Sequence, residues 1–253
     1  MKTGQNLKIL VCGKQRNLGD ISSILSHLGD LIVFFGNKSC RYVVRSLQAD
    51  ITEFGPFVGR RLLESACTAL LSRIDPYRLL LVKRYQTEPH YNIGARGKLS
   101  IQWTTDVMGT KPAADLWEQK LDAKDVSRGL FSAYSDQLFW TKACVLMQDT
   151  LTAKSTLWLD ELKAIPPEGA TNFFRTEADR LFSSLSKGVH AEFVVPSDVV
   201  YDSDTVIALL QDTISLLCKI SIAANFIETS PIKTSANDLV KRVESIENEV
   251  IDA

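Results

Sequence analysis

Val58, Leu62, Leu63, Ala66, Cys67, Leu70, Leu71 and Ile74 recur at helical spacing between Phe57 and Ile74. Arg60, Arg61, Glu64, Thr68 and Ser72 fall largely on the other side. An apolar face that wide needs other elements to bury it, so the segment predicts a core helix. The same reading extends along the chain. Gly19–Phe35 carries apolar residues at 21, 24, 25, 28, 31, 32 and 35, with Asp20 as N-cap and Gly36-Asn37 as its end. Tyr77–Tyr85 follows Asp75-Pro76, with the proline in its first turn. Thr205–Ile227 reads as a long apolar helix capped by Asp204.

The remaining segments read less sharply. Residues 7–12 suit a short strand or a buried first element, and Leu99–Trp103 alternates but reads as loop. Ala113–Leu121 reads as a short helix. Gly129–Ile165 reads as a long one, with a break near Thr150–Thr156 and a stop at Pro166-Pro167. Phe173–Leu185 follows, capped by Thr171-Asn172, and residues 234–250 form a last polar helix with a narrow apolar stripe. With no βαβ alternation, the fold class is mainly α: a multi-helix bundle of seven or eight helices with at most one or two short strands. The organisation expected is an N-terminal helical part with a basic segment (1–112), a C-terminal helical bundle (113–230) packed with 54–85, and an acidic terminal helix (231–253), all in one compact unit.

Composition narrows the chemistry. Three histidines and five scattered cysteines without a CxxC exclude a zinc-finger array and a disulfide framework, and the metal expectation is none. Gln211, Asp212 and Lys219 interrupt the longest apolar stretch, so the expectation is a cytoplasmic chain with no membrane contact. The formal charge of −1 conceals an asymmetry: residues 38–98 carry +6 and residues 199–253 carry −5.

Gly13-Lys14 resembles the end of a phosphate loop, but the upstream glycine is missing and Gln15 stands where a hydroxyl residue is needed. Asp149 with Glu161-Leu162-Lys163 has the order of a metal-dependent nuclease core, yet the flanks read as helix, where these residues form a solvated face. No cofactor is implied.

The segment from Arg180 to Glu192 runs from a helix into a Ser-Lys-Gly-Val-His turn. It resembles the C-terminal part of HEPN domains, an all-helical family common in prokaryotic toxin and antiphage systems, and Phe57–Ile74 resembles their first long helix. The resemblance implies His190 as general acid–base, with Arg180 or Lys187 on the phosphate of an RNA substrate. Active members place the arginine only a few residues before the histidine. Here nine residues separate Arg180 from His190, and Lys187 lacks the guanidinium fork.

Arg60, Arg61, Arg73, Arg78, Lys83, Arg84, Arg96 and Lys98 alternate with Tyr77, Tyr85, Tyr91 and Trp103, a pattern suited to phosphate contact and base stacking. The reading is a non-catalytic helical subunit of a prokaryotic, antiphage-type complex, forming homo- or hetero-oligomers and contacting DNA or RNA. The alternatives are a metal-independent HEPN-type ribonuclease and a DNA-binding accessory subunit of a nuclease system.

Overall fold

A computed structural model of the chain describes residues 2–14, 19–47, 50–92, 99–109, 129–187 and 201–251. Within them the protein is all-helical, with no strand. The helices run α1 (Thr3–Cys12), α2 (Asp20–Val43), α3 (Ile51–Leu71), α4 (Pro76–Gln86), α5 (Ala133–Ser135), α6 (Thr141–Thr150), α7 (Leu157–Lys163), α8 (Pro167–Lys187), α9 (Ser203–Ala224) and α10 (Ala236–Val250). Two wide π-type turns, Trp103–Val107 and Asp136–Trp140, interrupt this series. Among the described residues that makes ten helices rather than seven or eight, because the expected long helix over 129–165 is divided into α5, a π turn, α6 and α7, and the segment at 7–12 adds α1. The expected helix over 113–121 lies outside the described residues.

α9 is the axis of the core, packed against α1, α2, α3, α6, α7, α8 and α10. Neighbours on most sides explain its near-continuous apolar sequence, since only the strip at Asp204, Ala208 and Asp212 stays exposed. By length and hydropathy α9 could cross a membrane despite Gln211, Asp212 and Lys219, but 72% of its most apolar window is buried by the other helices. Its N-cap is Asp202, which accepts from Thr205 N at 2.7 Å, not Asp204.

Residues 7–12 belong to a helix, not a strand. α1 buries Leu7, Leu10, Val11 and Cys12 between α2, α9 and α10, so it shows no clear apolar–polar period. Gly36-Asn37 does not end α2, which continues to Val43. Gly36 instead marks the crossing with α1. A Cβ on Gly36 would lie 3.0 Å from Gly4 Cα, and one on Gly4 would lie 2.4 Å from Val33 O, so the two backbones meet where neither residue has a side chain. Asn37 accepts from Gly4 N at 3.0 Å, serving the start of α1.

Pro167 begins α8 rather than ending its predecessor; its absent N–H is one that the first turn leaves unpaired anyway. Pro56 likewise lies inside α3, which starts at Ile51.

Candidate functional site

Most of the described candidate cations are paired within the fold, and one of them serves a helix end. Arg73, placed among the nucleic-acid contacts on sequence grounds, is a correction: it is only 2% exposed. Its guanidinium donates to Leu10 O (2.7 Å), Val11 O (2.9 Å) and Ile232 O (2.9 Å). The first two are last-turn carbonyls of α1, where free acceptors and the negative end of the helix dipole favour a cation. Burial lowers its pKa to about 10, so the group stays charged at neutral pH. Gly13, with φ 74°, closes the same helix end; Gly13-Lys14 is therefore a helix terminus, with Lys14 paired to Asp238, and not a phosphate loop.

The acidic terminal helix does the complementary work. Glu249 accepts from Lys2 N (2.9 Å), Thr3 N (3.0 Å) and Thr3 Oγ1 (2.6 Å) at the start of α1. Glu247, 7% exposed, accepts from Trp158 N (2.8 Å) and Thr156 Oγ1 (2.9 Å) at the start of α7. Two carboxylates of α10 thus hold the N-termini of two other helices, and their negative charge faces a wall of the fold rather than solvent.

Arg78 pairs with Asp106 through two bonds (2.8 and 3.0 Å) and donates to Ser100 O (3.0 Å). With Arg175, which donates to Met108 O and Gly109 O, it fixes the segment 99–109 onto the helices. Trp103 of that segment stacks flat on Phe182 at 4.3 Å, and the Arg60 guanidinium lies 4.5 Å from the Phe182 ring centre. Arg175 had no sequence signal, because its partners are backbone carbonyls more than forty residues away.

The remaining basic candidates divide. Arg60 and Arg61 share Glu64 at 3.1 and 3.3 Å. Lys83 bonds Asp20 and Ser23 at 3.0 and 2.6 Å. The Arg84 side chain is 80% exposed and pairs with Glu88 at 3.1 Å. Arg180 is held by Glu177 and Asp212 at 2.9 and 2.8 Å. Lys187 is exposed at the end of α8. Arg96, Lys98 and His190 lie outside the described residues. Lys163 pairs with Asp160, and Glu161 pairs with Lys219, on helices rather than on nuclease strands. No group of His, Cys, Asp and Glu fit to hold a metal occurs among the described residues. All five cysteines are free and buried; burial pushes Cys12 and Cys144 up to about 12 and Cys67 and Cys218 higher, so none is a ready nucleophile.

Two kinds of surface are left open. One is a groove of about 620 Å³ between α2, α3, α4 and the segment 101–107. Ile24 and Leu28 of α2 face Leu79 and Val82 of α4 across it. Its floor is a polar stripe on α3, Arg61, Glu64, Ser65 and Thr68, whose two small hydroxyl residues leave the space unfilled. His27 and Lys83 stand in its walls, and His27 interacts electrostatically with the Asp30 carboxylate one turn further along α2. The other is aromatic. Phe34 of α2 (62% exposed) and Phe54 and Phe57 of α3 are exposed, joined through Phe35, which meets Phe34 at 5.1 Å and Phe57 at 6.1 Å. Lys38 lies 5.9 Å from the Phe54 ring centre. On α4, Tyr77, Leu81 and Tyr85 form a second exposed stripe at i, i+4 and i+8, with Tyr91 edge-on to Tyr85 at 6.0 Å. Compared with known protein families, curated proteins and solved structures, the chain matches none.

Proposed function

We propose that the protein is a non-catalytic helical subunit that binds a protein partner through the aromatic face of α2 and α3. The exposed group Phe34, Phe54 and Phe57 is the observation that carries this reading. A contiguous aromatic patch costs solvation when left in water, and aromatic side chains are enriched where proteins meet. The prokaryotic toxin or antiphage setting rests on the resemblance of residues 180–192 to HEPN domains. The test is native mass measurement of the tagged protein recovered from its own cells, beside a Phe34→Ser/Phe57→Ser variant. A stoichiometric complex in the wild type that the folded variant fails to form is the expected result. A wild-type protein recovered alone overturns the reading.

A second reading has its own observation. Tyr77, Tyr85 and Tyr91 with the exposed Arg84 place stacking faces and a cation together on the outer side of α4, an arrangement that suits single-stranded nucleic acid. A salt-sensitive gel shift with single-stranded RNA or DNA that disappears in Tyr77→Ala/Arg84→Glu supports it. Absence of a shift in the wild type removes it.

A further inference from the structure

We propose that the groove between α2, α3 and α4 binds a small amphipathic carboxylate, its apolar body between the α2 and α4 walls and its carboxylate toward Arg61, Lys83 and His27. Three observations lead there. The first is volume. At about 620 Å³ the groove lies in the range of small-molecule sites, too large for a packing defect. It exists because α3 presents Ser65 and Thr68 to the space where larger apolar residues would close it. The second is the division of its lining. Ile24, Leu28, Leu79 and Val82 supply two apolar walls, whereas the α3 floor is polar, so a wholly apolar guest would leave the floor unmatched and a wholly polar one would leave the walls unmatched.

The third is charge. Among the lining groups the cations Arg61 and Lys83 face one carboxylate, Glu64, and His27 adds an imidazole beside them whose ring interacts electrostatically with Asp30 outside the lining. Glu64 is already shared by Arg60 and Arg61, so two guanidiniums lean on one acceptor. Lys83 is held by Asp20, whose side chain is 78% exposed, a pair that a better-placed anion can replace at little cost. With their partners counted, three cations (Arg60, Arg61 and Lys83) meet two carboxylates (Glu64 and Asp20) at the polar edge, and an incoming carboxylate supplies the further acceptor.

Decanoate, kept below its micellar concentration, is the probe, with decanol as the neutral control, and titration calorimetry of the full chain is the readout. The expected result is saturable one-site binding of decanoate, with decanol at least about tenfold weaker. Thr68→Phe, which fills the floor, abolishes binding, and Lys83→Glu weakens it about fivefold or more. Lys83 is a surface residue, so its variant keeps the test decisive if Thr68→Phe fails to fold. Three results each overturn the proposal: no saturable binding to the wild type, equal binding of decanol, or unchanged affinity in the folded variants.

Discussion

Glu249 and Arg73 grip opposite ends of the same helix. The carboxylate accepts from the first residues of α1, and the guanidinium donates to the carbonyls of its last turn. Each charge complements the dipole at its own end, so a ten-residue helix too short to be stable alone is fixed at both termini by distant residues. Lys233 repeats the device after α9, donating to Asn225 O and Ile227 O.

Replacing Arg73 by methionine keeps the bulk and removes three hydrogen bonds. Buried carbonyls of Leu10, Val11 and Ile232 then lose their donor, and the expected loss is about 3 kcal/mol of unfolding free energy, read as a lower urea midpoint. A midpoint unchanged within error would mean that other donors reach these carbonyls.

Glu249 predicts an acid limb in the stability profile. Burial alone raises its pKa, but bonds from the Thr3 hydroxyl and the Lys2 and Thr3 amides outweigh that and hold it below its ordinary value. The unfolded chain therefore takes up the proton first. The stabilisation is complete above the unfolded value of about 4.3 and is lost as pH falls through the lower folded value. Glu249→Gln is expected to be about 1 kcal/mol less stable at pH 7, with the gap closing toward pH 2. Urea midpoints at several pH values check this; a gap independent of pH contradicts it.

The α1–α2 crossing should tolerate no side chain. Gly4→Ala places a methyl against Val33 O and is expected to cost about 1–3 kcal/mol through separation of the helices. A thermal melt that matches the wild type would show that the helices can move apart freely.

The thiols should be silent in the native state. Cys67 and Cys218 are fully buried and their pKa values are raised by desolvation, so modification by a charged disulfide reagent at pH 8 should await unfolding. Fast native labelling of either would reveal local opening of α3 or α9.

Periodicity made the helical class legible, and it located α4 and α10 well. It set the start of α3 at Phe57, six residues late, and located α1 poorly, because that helix is covered on several sides and so carries no clear amphipathic signal. It also misplaced the end of α2, because a glycine that terminates a helix and a glycine that lets another helix approach look alike in sequence. The groove and the aromatic face were not legible: His27 read as a boundary residue, and Phe57 as the start of a helix rather than part of a surface. Arg73 shows the limit most clearly. Its charge is local information, but its partners sit sixty or more residues away, so only the fold decides whether such an arginine meets a phosphate or a carbonyl.

α10 touches the rest of the molecule at two helix starts at once, through Glu247 on α7 and Glu249 on α1. Both carboxylates belong to the last turn of α10, so that turn cannot leave one helix start without leaving the other. A protease cut in the connection before it, or a competitor that draws it away, would uncap both helices in one event. Detachment of the last fifteen-residue helix would then register near both the start and the middle of the chain, as a single step rather than a gradual loosening.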